Sequence, residues 1–368
     1  MQYASIGKNN RISRVGIGGH YSKMEEGRFE ASYAQVSRQE VKARTEMLER
    51  AFDSGVTYYD TTWRNEVEML AQSMAPLHIR DKVHINGMVL GTFTGSVAAG
   101  ITPSQYIDRW LDERLAVLPQ NHLDSFMINA IDEGYDPGAC AQVLEHLEKR
   151  RQQGDFDIIG FSCHNHTLAR QIADTFPQFQ LIMLAYNYKN RAFETAFDGY
   201  SGSASFVAMK PLIWYEYGIP FCALNRLPNA EQLLGGLMDS HVAAKAVAWN
   251  LHNPRITTCV CGVNSQQELD DLLLAGNTGW QQEDEAVLER YRRCVEENRI
   301  PFFIGICKGG AGNRRSFQFG LRNLAGALGV PMEHIPLNDD ASDELLLRFW
   351  QKLKAEAQKQ GYGACLEE

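Results

Sequence analysis

The chain has 368 residues, 44 % of them hydrophobic and 22 % charged, with a formal charge of -9 at pH 7. This is an ordinary globular composition, and its acidic balance disfavours nucleic acid or an anionic membrane as partner. No run of ~18 apolar residues is present to span a bilayer, and Met1-Gln2-Tyr3-Ala4-Ser5 shows no basic segment leading into an apolar one, so a cytoplasmic protein is expected.

Residues 1–12 read as a hairpin turning at Lys8-Asn9-Asn10. Ser13 to Gly19 is a strand ending at His20 and Tyr21, and residues 22–38 are polar without a clear period, as a long loop would be. Gln39 to Ser54 carries Val41, Met47, Leu48, Ala51 and Phe52 at helical spacing. Gly55 closes that helix, and Val56-Thr57-Tyr58-Tyr59-Asp60 follows as a buried strand of residues that favour extended backbone. It ends in Thr61-Thr62-Trp63-Arg64, so Asp60 is held where the strand leaves the core, ahead of a helix through Met69, Leu70 and Met74.

The alternation then repeats. Strands over Lys82–Val89, Leu123–Ile131, Asp157–Ser162, Leu181–Asn187, Phe206–Leu212 and Thr257–Val263 are each followed by a helical pattern. Those patterns cover Pro103–Leu118, Ala139–Gln153, Leu168–Phe176, about 191–198, about 240–252 and Ser265–Ala275. Eight such units imply an α/β fold, a closed parallel (β/α)8 TIM barrel, with chemistry at the C-terminal ends of its strands. An open doubly wound sheet lacks support, because Gly16-Ile17-Gly18-Gly19 has neither the dinucleotide-binding spacing nor a following helix. Past the barrel, Gln281–Asn298 is a helix, residues 301–340 mix glycine, proline and apolar segments, and Asp343–Gln360 is a charged helix. The expected division is a barrel over residues 1–300 and a C-terminal helical extension over 301–368. The extension would pack on one barrel end or form a homo-oligomer interface.

Eight cysteines are scattered without a C-x-x-C pair, as reduced thiols would be. Cys259 and Cys261 are expected to point to opposite faces of their strand and not to chelate together.

Several segments in order resemble the aldo/keto reductase superfamily over about residues 1–276. They are Ile6-Gly7-Lys8, Val15-Gly16-Ile17-Gly18, Tyr59-Asp60-Thr61, Asp81-Lys82-Val83, Leu123-Asp124-Ser125 and Ile159-Gly160-Phe161-Ser162. Tyr186-Asn187, Met209-Lys210-Pro211-Leu212 and Cys261-Gly262-Val263 continue the series. The resemblance implies a TIM barrel plugged by the N-terminal hairpin, and hydride transfer between NAD(P)H and a small carbonyl or alcohol. Members use an Asp, Tyr, Lys and His at the ends of the second to fourth strands, with the Tyr as proton donor to an oxygen that becomes negative. Asp60 matches the Asp. No Tyr stands in the shortened Thr61–Asn65 segment, Met88 occupies the Lys position and Asn129 the His position. A non-standard mechanism is therefore expected.

For the cofactor, the resemblance makes Ser162 the partner of the nicotinamide carboxamide. Cys163 replaces the expected Asn, Met183 the Gln, and Met209 the stacking aromatic, with Lys210 in the same motif. Asn264 and Ser265 stand where many members hold a 2′-phosphate with Lys and Arg, and that loss argues against an NADPH preference.

The expected rim collects His20, Asp60, Arg64, Asn129, Asp132, Cys163, His164, His166 and Lys210. From these, Asp60, Arg64, Asn129, His20 and His164 are the catalytic candidates, and no metal ligand is assigned. His164-Asn165-His166 would place two imidazoles on one side if the strand continued, and with His20 and Asp60 would suit a metal. Cys163 is a candidate thiolate beside His20 or His164. Trp63, Trp214, Tyr215 and Tyr217 serve as ring-stacking walls or as core. Three functions fit: a nicotinamide-dependent oxidoreductase, a lyase or hydrolase with or without a metal, and a silent barrel for binding or assembly.

Overall fold

The computed structural model describes residues 1–7, 10–19, 23–25, 28–30, 38–129, 131–132, 134–215, 219–226, 230–308, 314–331 and 341–366. Lys8 and Asn9 of the expected turn, and the candidates His20 and Tyr217, lie outside these residues.

The strands are β1 (Tyr3–Ile6), β2 (Asn10–Ser13), β3 (Val15–Gly18), β4 (Lys23–Glu25), β5 (Arg28–Glu30), β6 (Tyr58–Thr61) and β7 (His84–Leu90). They continue with β8 (Leu123–Asn129), β9 (Phe156–Cys163), β10 (Leu181–Ala185), β11 (Ser205–Met209), β12 (Ile213–Tyr215), β13 (Ile219–Pro220) and β14 (Ile256–Gly262). The helices are α1 (Arg38–Asp53), α2 (Arg64–Met74), α3 (Thr92–Ala99), α4 (Pro103–Leu115), α5 (Pro137–Gln152), α6 (His166–Thr175) and α7 (Ala192–Ala196). After them come α8 (Ala230–Leu234), α9 (Val242–His252), α10 (Gln266–Thr278), α11 (Asp284–Glu297), α12 (Arg299–Lys308), α13 (Arg314–Ala327) and α14 (Asp343–Lys359).

Strands β3, β6, β7, β8, β9, β10, β11 and β14 close into one parallel barrel, with β14 returning to β3. Alternation along each strand sends one set of side chains into the lumen and the other toward the helices. The lumen core holds Tyr58, Met88, Met127, Ile158, Leu181, Met183, Val207 and Val260. The antiparallel hairpin β1–β2 adds Ile6 and Ile12 to that same cluster, as a plug would. Each such isoleucine contributes roughly 1.5–3 kcal/mol by leaving water. Gly16 is required by close approach, since a Cβ there would lie 2.6 Å from the Tyr58 ring. Local chemistry starts the helices that follow. Thr102, Asp136, Asn165 and Ser265 cap α4, α5, α6 and α10 through side-chain oxygens that accept backbone N–H groups.

Several expectations need correction. The polar stretch after Tyr21 contains the short hairpin β4–β5, whose charged residues suit edge strands. Helix α3 precedes α4, and the glycine-rich part of 301–340 holds α12 and α13. Pro301 falls in the first turn of α12, where its missing N–H has no partner to lose. Gly320 of α13 faces α12, where a Cβ would meet Cys307 Sγ at 3.0 Å, so this glycine marks close packing and not a loop. Cys259 and Cys261 share a face, as any residues two apart on a strand do. All eight cysteines are free.

The chain forms two compact units. One comprises Met1–Tyr21, Tyr33–Pro211 and Val247–Trp280; the other comprises Ser22–Ser32, Leu212–Ala246 and Gln281–Glu368. The second unit thus gathers Ser22–Ser32 and Leu212–Ala246 with α11 and the C-terminal segment. Within it, Trp214 stacks on Phe221 at 3.6 Å, and Tyr291 packs edge-on to the same ring. Trp214 is therefore core. No helix of the described residues is long and apolar enough to cross a membrane.

Candidate active site

The lumen carries a directed chain of buried polar groups. Asp60 ends β6 in register with Asn86 of β7, which in turn pairs with Ser125 of β8. The Asn86 amide donates to Asp60 Oδ1 at 2.7 Å, and the Ser125 hydroxyl donates to Asn86 Oδ1 at 2.6 Å. With its one proton so used, Ser125 accepts from His84 Nε2 at 2.9 Å, which fixes the histidine tautomer. His84 lies stacked on Tyr58. Burial, outweighing the nearby carboxylates of Asp124 and Asp157, pushes its pKa down to about 4. Burial also holds the Tyr58 hydroxyl well above the ordinary phenol range, and Asp60 adds to the shift. The Asp60 carboxylate is thus the acceptor end of a structural network.

The turn after β6 is held by buried polar contacts. Thr61 Oγ1 donates to the Asn86 carbonyl, and the buried Glu66 carboxylate accepts from the N–H groups of Thr62 (2.7 Å) and Trp63 (3.0 Å). The buried Arg114 guanidinium donates to the Thr62 carbonyl at 2.7 Å and lies over the Trp110 ring. Burial lowers the Arg114 pKa to about 10. Gly19 packs tightly here, since a Cβ would sit 3.0 Å from both the Asp60 carbonyl and Glu66 Oε2. Arg64, the first residue of α2, is exposed, and Trp63 is half-buried against Trp110. Sequence reasoning missed Glu66 and Arg114. An acidic residue in the first turn of a helix, as Glu66 is, was a readable signal; nothing local marks Arg114.

A second cluster lies at the ends of β8, β9 and β11. Asp132 follows β8, His164 follows β9 and Lys210 follows β11. Lys210 Nζ is 3.3 Å from His164 Nε2, and His164 Nδ1 is 3.7 Å from Asp132 Oδ2. Ile131 N–H donates to the Ser162 carbonyl, which ties the Asp132 turn to β9. Ser162 shares the lumen side of β9 with Ile158; its hydroxyl is buried and has no protein partner. Asp132 Oδ1 is likewise buried and unbonded.

The other candidates disperse. Cys163 faces the helices, its thiol donates to the Asn165 carbonyl, and burial raises its pKa to about 12, so it is not a thiolate nucleophile. His166 begins α6 and bonds the Ala185 carbonyl at 2.7 Å. The helix turns it away from His164, and the H-x-H pair does not converge on a metal. Asn129 ends β8 on the lumen side, half-buried. Met183 is in the lumen core, and Met209 packs at its edge. Asn264 and Ser265 are exposed at the start of α10, where Ser265 accepts from Glu268 N–H and Glu268 accepts from Asn264 N–H. His122, Asp124 and Asp157 sit close enough to share a cation, at the N-terminal ends of β8 and β9. There Arg80 already pairs with Asp124 at 3.0 Å.

No family model matches the sequence, and no curated protein matches it. The structure is similar to the apo form of the aldo-keto reductase AKR11C1 from Bacillus halodurans. The TM-score is 0.55 at 16 % identity, covering 79 % of this chain and 96 % of that one. A Pseudomonas aeruginosa protein described as an aldo-keto reductase matches with a TM-score of 0.53 at 13 % identity, covering 74 % and 94 %. The fold is that of the aldo-keto reductases. At these identities the likeness shows the fold alone, and the chemistry has to be read from this chain's own residues.

Proposed function

We propose that this chain is an aldo-keto reductase-like oxidoreductase that acts on a small carbonyl or alcohol with a nicotinamide cofactor. Its mechanism does without the family's tyrosine. The observation that carries the reading is the buried Ser162 hydroxyl with no protein partner. Leaving such a group unbonded costs about 1–3 kcal/mol, and a carboxamide offers it both a donor and an acceptor. Met183 and Met209 border the same lumen, and thioether side chains adapt to a flat ring. The start of α10 is already capped by its own Glu268 carboxylate. A 2′-phosphate there would meet like charge, so NADH fits better than NADPH.

A bound nicotinamide supplies or accepts the hydride. We assign the proton to His164, whose Nε2 contacts Lys210 and whose Nδ1 faces Asp132. Asp132 stabilises the imidazolium, and Lys210 restores a proton given up to a developing alkoxide. Asn129, on the neighbouring strand, offers its amide to the substrate oxygen. Asp60 keeps β6, β7 and β8 in register at the mouth through Asn86.

The test is fluorescence titration of the protein and of Ser162→Val with NADH and NADPH. Saturable binding is expected, tighter for NADH, and weakened about tenfold in the variant, the loss of one hydrogen bond. Absence of binding by either nucleotide up to millimolar concentration overturns the reading. A lyase that has left nicotinamide chemistry is favoured by one observation, the Asp132–His164–Lys210 chain.

A further inference from the structure

We propose that Lys210 is an amine nucleophile, with His164 as its base and Asp132 as the group that orients the base, and that it condenses with small aldehydes or ketones to form an imine. The proposal rests on the lyase reading of this cluster and needs no nicotinamide.

An amine attacks a carbonyl only when unprotonated, so a lysine nucleophile needs a base within hydrogen-bond reach. His164 Nε2 is that base at 3.3 Å, and Asp132 stands behind its Nδ1 at 3.7 Å. Nucleophile, base and orienting carboxylate therefore come from three strand ends of one barrel mouth, the usual place for chemistry in this architecture.

The backbone is arranged to aim Lys210. Its φ of 58° is left-handed, a conformation that a residue with a Cβ rarely adopts. The buried Asn187 holds it there, donating from Nδ2 to the Lys210 carbonyl at 3.0 Å. Asn187 Oδ1 in turn accepts the N–H groups of Lys189 (3.1 Å) and Asn190 (2.8 Å), and Tyr186 N–H donates to the Met209 carbonyl. Strain held by this many contacts, at the mouth of a barrel, points to a side chain that has a task.

The chemistry closes on these residues. The Lys210 ammonium passes a proton to His164, and the imidazolium is stabilised by Asp132. The amine lone pair forms the C–N bond while the carbonyl π pair moves to oxygen, which takes a proton from His164 to give a carbinolamine. Loss of its hydroxyl with one proton releases water and leaves a protonated imine on Lys210.

The experiment incubates the full chain with acetone and sodium cyanoborohydride, no nucleotide present, and maps the resulting secondary amine by peptide mass spectrometry. The other lysines serve as internal controls. Lys210 is expected to be labelled at least about tenfold above their mean, and His164→Gln to remove about tenfold of that excess, a modest general-base contribution, while labelling elsewhere stays unchanged. Circular dichroism confirms that the variant folds. Labelling of Lys210 at the level of the exposed lysines, or labelling indifferent to His164→Gln, overturns the proposal. Nucleotide titration and trapping are separate readouts, so failure of either leaves the other interpretable.

Discussion

Lowering the pH tests the buried polar chain through His84. The ring lies fully inside the lumen, 3 % exposed, with Nε2 bonded to Ser125 and Nδ1 without a partner. Burial depresses its pKa from 6.5 to about 4. The folded form therefore binds the proton less readily than the unfolded chain. The histidine costs nothing above pH 6.5, and stability falls as the pH drops from there toward 4. At pH 4.5 the unfolded chain is almost fully protonated at this site and the native chain is mostly not, a penalty of about 2–3 kcal/mol. His84→Gln keeps an amide donor toward Ser125 and does not titrate. Thermal melts of both proteins at pH 7 and pH 4.5 separate this effect from general acid loss by carboxylates. The wild type is expected to lose about 5 °C more than the variant between the two conditions, given roughly 2–4 °C per kcal/mol for a domain near this size. Equal losses would refute the claim that His84 is held neutral by burial, and with it the donor direction assigned along Ser125, Asn86 and Asp60.

Lys210→Gly relieves the left-handed backbone and is expected to raise stability by about 1 kcal/mol in a melting experiment, while ending acetone trapping. A stability loss would show that the strain is not there. Glu66→Ala strips the acceptor from one buried and one part-buried N–H group and should cost about 2–3 kcal/mol; Glu66→Gln should recover part of the lost melting temperature. The Ser162→Val titration and the trapping of Lys210 complete the set, one reading nucleotide affinity and the other covalent capture.

The sequence alone determined the barrel. Strand and helix formation depend on side-chain periodicity, turn glycines and caps, all of which are local, so Val56 to Asp60 and the strands after it are legible without coordinates. Met88 and Asn129 are likewise read directly from the sequence, and their strands place both on the lumen side. Glycine and proline leave 301–340 without a legible pattern, and there Gly320 serves helix packing and Pro301 a helix start. Only the tertiary structure decided the site. Whether His164 meets Lys210 or His166 depends on where β9 stops and α6 begins, and that boundary is set by Asn165 capping the helix. Cys163 and Ser162 are neighbours in sequence, yet the pleat sends one to the helices and the other to the lumen. Asp132, His164 and Lys210 belong to distant segments, and the barrel's register brings their strand ends together; no pattern within any one segment encodes that meeting.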